Sequence, residues 1–193
     1  MKNKKTFFSI ALVFVLLIGG ATVLYRQLGK NIAAEQLATQ STNQSDESAA
    51  GETEQKIKAP DFTVYDADGN EVHLADYIGK PIVLNFWASW CGPCQSEMPD
   101  FHEKYLELGD DVHFLMINMT DGARETAESA SAFIAKNGYA FPVFYDTKSD
   151  AASIYGAYSL PTTFFIDADG YAIAQATGAI DAETLQRGLD MIK

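Results

Sequence analysis

One stretch of the sequence decides the fold, and it reads Pro81-Ile82-Val83-Leu84-Asn85-Phe86-Trp87-Ala88-Ser89-Trp90-Cys91-Gly92-Pro93-Cys94. Residues 81–87 are a nearly continuous apolar run, which is typical of a strand that is covered on both faces. Pro93 suits the first turn of a helix, where no intrahelical bond needs its missing N–H. The stretch therefore predicts a buried strand that passes directly into a helix, with two cysteines at the junction.

Cys91 and Cys94 are the only cysteines of the 193-residue chain, so each has the other as its natural partner. The free backbone N–H groups and the positive dipole end of a helix N-terminus favour the thiolate form of Cys91. Cys94 follows about one helical turn later, so that the two sulfurs can meet. The spacing predicts a redox-active disulfide, with Cys91 as the exposed nucleophile and Cys94 as the inner, resolving thiol.

Other interpretations of the cysteine pair stay open at this point. Cys-x-x-Cys also occurs in zinc sites, but a closed site needs two further ligands, and His73, His102 and His113 form no paired motif. An inert disulfide that closes a turn leaves the strand-to-helix placement unexplained. A non-enzymatic carrier could hold Cu(I) on the two thiolates, although no Met or His stands at ligand spacing. We therefore predict no metal at this site.

The charge of the chain restricts its partners. The formal net charge is −12, and from Lys56 onward 9 Lys and Arg stand against 21 Asp and Glu. Binding to nucleic acid and docking on anionic lipid both need clustered Lys and Arg. We therefore expect no nucleic-acid partner, and we expect the folded part to keep off anionic lipid surfaces.

The N-terminal residues predict a membrane anchor. Residues 1–6 form a basic stub with three lysines, and residues 7–25 are uncharged. A helix over 7–25 would span about 28 Å, close to the hydrocarbon thickness of a bilayer. The stub would stay in the cytoplasm, so a single-pass anchor would place the remaining chain on the extracytoplasmic side of the cell membrane. A cleaved signal peptide is the alternative, although no small-x-small triplet closes the apolar run.

The chain after the anchor divides into a tether and a domain. Residues 26–58 are rich in Ala, Gln, Glu, Ser and Thr, so we expect a flexible linker. Residues 59–193 form the folded domain, in which strands first alternate with helices and a hairpin then closes the order, as in an α/β fold with a mixed sheet. The predicted elements are a hairpin around 66–70, strands at 112–119, 143–145, 162–167 and 171–177, and helices at 93–109, 123–136, 151–155 and 181–192.

The residues Phe86–Cys94, followed by Glu97-Met98-Pro99, resemble the active site of the thioredoxin superfamily. Together with the N-terminal anchor, they resemble its TlpA/ResA-like branch of membrane-tethered, extracytoplasmic thiol–disulfide oxidoreductases. The resemblance covers residues 59–193. It implies a thioredoxin-like fold: a mixed central sheet flanked by helices, an N-terminal β-hairpin and a helical insertion around 123–136, preceded by one transmembrane helix.

The resemblance also gives roles to further residues. Leu160-Pro161-Thr162 is similar to the family's cis-proline loop, in which Pro161 faces the cysteines and the Leu160 backbone pairs with substrate. A trans proline that starts a strand is the alternative. Glu97 matches a carboxylate that lies near the thiols and influences their proton transfer. A surface glutamate of the helix is the alternative.

The loop around the motif completes the predicted substrate-docking surface, which consists of Trp90, Gly92, Pro93 and Leu160. Asn85 stands where cytoplasmic thioredoxins carry a buried aspartate. Because an amide exchanges no proton at neutral pH, Glu97 or water becomes the expected helper of Cys94.

The resemblance implies a reductase of disulfides in exported proteins, such as apocytochrome c, methionine sulfoxide reductase or a peroxidase. It works without a cofactor and takes electrons from a membrane protein of the CcdA type. A disulfide-forming oxidase on the same fold is the alternative. The reduction potential separates the two, because about 30 mV is a factor of ten for a two-electron couple.

Overall fold

A computed structural model of the chain describes residues 37–39 and 56–193. The predicted basic stub, the predicted transmembrane segment at 7–25 and most of the predicted linker lie outside these residues. Among the helices in the described ranges, none combines the length and the apolar character that a membrane crossing requires.

The strands, in chain order, are β1 Ala38–Thr39, β2 Ile57–Lys58, β3 Thr63–Tyr65, β4 Glu71–His73, β5 Ile82–Trp87, β6 His113–Asn118, β7 Val143–Tyr145, β8 Thr162–Ile166 and β9 Tyr171–Thr177. The helices are α1 Gly92–Leu108, α2 Ala127–Asn137, α3 Asp150–Tyr155 and α4 Ala182–Ile192, with a 3₁₀ helix at Leu74–Tyr77 after the first hairpin.

The nine strands of the described residues join one mixed sheet, in the order β1-β9-β8-β5-β6-β7-β3-β4, and β2 pairs with β9 beside β1 in addition to this order. The apolar run that the sequence singles out is the central strand β5, and every one of its residues is buried. It pairs in parallel with β6 and antiparallel with β8. The predicted α/β fold with a mixed sheet and an N-terminal β-hairpin is therefore confirmed.

The two faces of the sheet carry separate hydrophobic clusters, because side chains alternate along each strand. On one face, Val83 and Trp87 of β5 pack with Phe101 of α1 and Leu189 of α4. On the other face, the even-numbered residues of β5 pack under α3 and the β3–β4 hairpin. Helices thus cover both faces, which explains why β5 is apolar throughout.

Two expectations from the sequence are corrected. The second long helix starts at Ala127, not at residue 123, because Thr126 is its N-cap and accepts a hydrogen bond from the Ser129 N–H at 3.1 Å. Residues 121–125 form a loop instead. In the predicted linker, β1 and β2 pair antiparallel with β9, and the Lys56 ammonium group lies 3.0 Å from the Asp167 carboxylate. The composition of that segment gave no sign of these strands.

Candidate active site

The cysteine pair lies where β5 ends and α1 begins, as the sequence predicts. Cys91 is the N-cap of α1 and forms a disulfide with Cys94. Its Sγ atom accepts a hydrogen bond from the Cys94 N–H at 3.2 Å. A free backbone N–H of the first helical turn therefore points at the sulfur that would carry a negative charge after reduction.

The prediction of an exposed Cys91 is wrong for this disulfide form. Cys91 is 4% exposed and Cys94 is 0% exposed, and the Cys91 sulfur is bound to Cys94 and accepts its backbone N–H. The exposed group is the neighbouring Trp90, at 41%, whereas Trp87 is part of the core as expected. Cys91 remains the more accessible thiol of the two.

A groove of about 450 Å³ opens on the cysteine pair. The predicted docking residues Trp90, Gly92, Pro93 and Leu160 all line it. Sequence reasoning missed the other residues of its lining, which are Met119, Asp121, Arg124, Ala157 and Tyr158. Met119, Asp121 and Arg124 follow β6, whereas Ala157 and Tyr158 follow α3. Because β5 and β6 are parallel, the residues after β6 lie at the same edge of the sheet as the cysteine pair after β5.

The Leu160–Pro161 peptide bond is cis, as predicted. Leu160 lines the groove, whereas Pro161 is buried and is not among the groove residues. The Pro161 carbonyl accepts a hydrogen bond from the Gly178 N–H at 2.8 Å. This bond ties the loop that carries Leu160 to the segment between β9 and α4.

Glu97 lies one turn after Cys94 on α1 and is 2% exposed, which rules out a surface glutamate. Its Oε1 atom accepts a hydrogen bond from Asn85 Nδ2 at 2.9 Å, and its Oε2 atom accepts one from the Ile180 N–H at 3.0 Å. Burial raises the pKa of Glu97 to about 7, although both hydrogen bonds act to lower it. The carboxyl can therefore gain or lose a proton at neutral pH.

Asn85 occupies the centre of a buried polar group behind the disulfide. Its Nδ2 atom donates to Glu97 and, at 2.9 Å, to the Thr163 hydroxyl. Its Oδ1 atom is buried and has no hydrogen-bond partner among the described residues. Asn85 therefore offers a free acceptor close to a carboxyl that titrates near pH 7.

A second buried carboxyl, Glu125, was not found from the sequence, since residues 123–136 read as one helix. Glu125 is 0% exposed and accepts hydrogen bonds from Ser89 and Asn118. The preceding Arg124 stacks on the Trp90 ring, with its guanidinium carbon 3.5 Å from the ring centroid. One signal in the sequence could have located the contact between Glu125 and Asn118. Asn118 is a polar residue at the end of the buried strand β6, and it pairs with Trp87 at the end of β5.

Within residues 37–39 and 56–193, no group of three or more His, Cys, Asp or Glu side chains is placed to hold a metal ion.

Comparisons with known proteins agree with this geometry. The family model described as AhpC/TSA family matches residues 56–174. The thiol-disulfide oxidoreductase ResA of Geobacillus thermodenitrificans is 37% identical over 136 residues, which are 70% of this chain and 76% of that protein. The chain belongs to the AhpC/TSA family, among the ResA-like thiol–disulfide oxidoreductases. Its ResA relative from Bacillus subtilis is 31% identical over 136 residues, 70% of this chain and 74% of that protein.

Solved structures extend the ResA-like assignment to the fold. The crystal structure of a putative thiol:disulfide interchange protein DsbE from Chlorobium tepidum has a TM-score of 0.63 and 30% identity, and the match covers 72% of this chain and 97% of that chain. StoA from Bacillus subtilis has a TM-score of 0.58 and 26% identity, with 70% and 99% covered. The protein is thus an enzyme of the thioredoxin fold that acts on thiols and disulfides, and Cys91 and Cys94 are its Cys-x-x-Cys pair.

Proposed function

We propose that this ResA-like protein reduces disulfides in exported proteins on the extracytoplasmic side of the cell membrane. The observation that carries the proposal is the Cys91–Cys94 disulfide at the N-terminus of α1, at the bottom of a groove lined by exposed aromatic side chains. A helix N-terminus stabilises a thiolate, and the groove gives a substrate segment access to it.

The first step joins the enzyme to its substrate. The Cys91 thiolate attacks one sulfur of the substrate disulfide, so that an intermolecular S–S bond forms and the substrate S–S bond breaks. The released substrate thiolate takes a proton. Trp90, Gly92, Pro93 and Leu160 border the attacking sulfur, and they hold the substrate segment in this mixed disulfide.

The second step releases the product. Cys94 loses its proton and attacks Cys91, which re-forms the disulfide and expels the second substrate thiolate. Glu97, one helical turn away and with a pKa raised to about 7 by burial, takes the Cys94 proton at neutral pH. Asn85 cannot do so, and it instead donates a hydrogen bond to the charged form of Glu97. The substrate gains two electrons and the cysteine pair loses them.

The proposed partners come from the resemblance to the ResA-like family. The basic stub and the uncharged residues 7–25 support a membrane anchor, and membership of the ResA-like family supports disulfide exchange. We include as substrates the haem-binding cysteines of apocytochrome c and oxidised methionine sulfoxide reductases or peroxidases. A membrane thiol donor of the CcdA type returns electrons to the cysteine pair.

Two cysteine variants of the full chain test the proposal. We expect Cys91→Ser to abolish the reduction of a protein disulfide, since no nucleophile remains. We expect Cys94→Ser to accumulate a mixed disulfide, which is isolated under non-reducing conditions and identified by mass spectrometry. Capture of proteins that carry free thiols rather than disulfides in the wild-type cell supports a reductase. Loss of disulfides from exported proteins in a deletion strain would instead indicate an oxidase.

A further inference from the structure

The loop that leads into the redox pair is held by one buried carboxylate. Glu125 Oε1 accepts hydrogen bonds from the Ser89 N–H at 2.8 Å and from Asn118 Nδ2 at 2.7 Å. Glu125 Oε2 accepts one from the Ser89 hydroxyl at 2.7 Å. Both oxygens are thus bound by groups that lie at the carboxyl ends of β5 and β6. Two of the three hydrogen bonds come from Ser89, which lies two positions before Cys91.

The segment that carries Glu125 is itself closed. Asp121 Oδ1 accepts hydrogen bonds from the backbone N–H groups of residues 123, 124 and 125 at 2.7–2.9 Å. The Gly122 N–H donates to the Glu125 carbonyl at 2.9 Å. Glu125 therefore reaches the redox loop from a fixed position, in contrast to a flexible surface side chain.

Glu125 also lies close enough for its charge to matter to the redox pair. Its Oε1 atom lies 2.8 Å from the Ser89 nitrogen, and two residues of chain span at most about 7 Å. The carboxylate therefore lies within about 10 Å of the Cys91 backbone nitrogen and within about 13 Å of the Cys91 sulfur. At the effective dielectric constant of protein interiors, a unit charge at that distance changes the ionisation equilibrium of a neighbour by on the order of tenfold. The negative charge opposes the thiolate and so favours the disulfide over the reduced pair.

Three other charged or titratable groups face this region. Arg124 stacks on Trp90 at the rim of the groove and is exposed, as is Asp121. Glu97 lies behind Cys94 on α1. Of these, the exposed pair is screened by water, whereas Glu125 is fully buried and its field is screened much less.

We propose that Glu125 is a positioning residue of the redox centre. It fixes the loop before Cys91 through three hydrogen bonds, and its charge makes the cysteine pair a stronger reductant. The proposal rests on the proposed function only for the direction of electron flow in the cell, from the cysteine pair to a substrate disulfide. The equilibrium constant between the disulfide and the reduced pair is a property of Cys91 and Cys94 themselves.

The test separates charge from geometry in the full chain. In E125Q the new amide keeps three hydrogen bonds, because Oε1 accepts as before and Nε2 donates to the Ser89 hydroxyl. We expect the equilibrium constant for reduction of the disulfide by glutathione, measured at pH 9, to rise by on the order of tenfold. E128Q is the matched control, because it removes the same charge from an exposed position on α2, and its equilibrium constant should stay at the wild-type value.

E125D supplies the complementary variant. It keeps the charge but is too short to keep both hydrogen bonds to Ser89, so we expect a lower melting temperature and an equilibrium constant near that of wild type. An E125Q protein with a wild-type equilibrium constant would overturn the charge argument. If E125Q does not fold, E125D decides. Because E125D keeps the charge, a tenfold change in its equilibrium constant for reduction by glutathione would also overturn the charge argument. Loss of activity in Cys91→Ser is a separate result that concerns the proposed function alone.

Discussion

At the residue scale, the Glu97 carboxyl is buried but accepts hydrogen bonds only from the Asn85 amide and the Ile180 backbone. Neither donor carries a charge, so desolvation prevails and the pKa rises from 4.5 to about 7. Glu125, by contrast, is bound at both oxygens by three donors. The two buried carboxyls therefore differ in their surroundings: Glu97 can gain or lose a proton near pH 7, whereas Glu125 is hydrogen-bonded to the loop before Cys91.

The pH dependence of stability reports on Glu97. Because the pKa of Glu97 is higher in the folded than in the unfolded state, the neutral acid contributes stability that is present below about pH 4.5 and lost as the pH rises through about 7. We expect the unfolding free energy of the oxidised wild type, relative to E97Q, to fall by about 3 kcal/mol between pH 4.5 and 8. Urea denaturation at a series of pH values measures this difference. Parallel stability curves for the two proteins would contradict it.

The sequence located the cysteine pair and the cis-proline but not the residues that support them. Cys91, Cys94 and Pro161 stand in a short motif or loop, so local pattern was sufficient to locate them. Glu97 accepts a hydrogen bond from the Ile180 N–H, which is 83 residues away, and a contact over that sequence distance has no local signature. Glu125 could not be located from the sequence for a similar reason, because its partner Ser89 follows β5 and its partner Asn118 is the last residue of β6.

At the element scale, α4 packs unusually close to the sheet. A Cβ atom added at Gly188 would overlap the ring of Phe165, which is fully buried in β8. We expect Gly188→Ala to lower the unfolding free energy by about 1–3 kcal/mol through overpacking, even though Ala is the better helix former by about 1 kcal/mol.

Chemical denaturation checks this packing prediction. Asp190→Ala is the control on the same helix, because Asp190 is exposed, and its effect should stay within about 0.5 kcal/mol. A stabilised Gly188→Ala protein would mean that Phe165 moves aside freely and that α4 is not fixed by this contact.

The bounds of α2 show where pattern reading fails for an element. Residues 123–136 contain apolar residues at helical spacing, but Thr126 and Ser129 exchange hydrogen bonds as a capping box. Asp121 holds residues 123–125 outside the helix by accepting their N–H groups. A capping Thr inside a helical pattern is therefore the signal to place the N-terminus, and the residues before it become free to contact the redox loop.

At the scale of the whole molecule, the net charge of the protein predicts a preference among substrates. The formal net charge is −12, all of it accounted for by residues 56–193 with 9 basic and 21 acidic side chains. Long-range fields of this kind change association rates and fade with salt. We expect a disulfide peptide flanked by lysines to be reduced faster than the same peptide flanked by glutamates.

Stopped-flow kinetics at two salt concentrations measures the effect. The ratio of the two rate constants should decline as the Debye length falls from about 10 Å at 0.1 M to about 3 Å at 1 M salt. A ratio that does not change with salt would show that contacts in the groove, and not the overall field, set the preference.

The topology was predictable to the extent that it follows from local patterns. The strand β5 has a continuous apolar run, and the first and the closing hairpins have turn residues between their strands. These local patterns are enough to predict an α/β fold with a mixed sheet. The edge of the sheet was not predictable. Residues 38–39 and 57–58 carry no strand pattern, and they become strands only because β9 offers them unpaired backbone groups.

Those two short strands have a consequence for self-association. A bare β9 would present a row of free N–H and C=O groups, which is a template for pairing with a second molecule. β1 and β2 cover this row, and Lys58 places its ammonium group 4.4 Å from the Tyr171 ring centroid. We expect a protein that starts at residue 59 to aggregate more readily in light scattering than one that starts at residue 36. If that difference is found, the segment that leads into the domain protects it against edge-to-edge polymerisation.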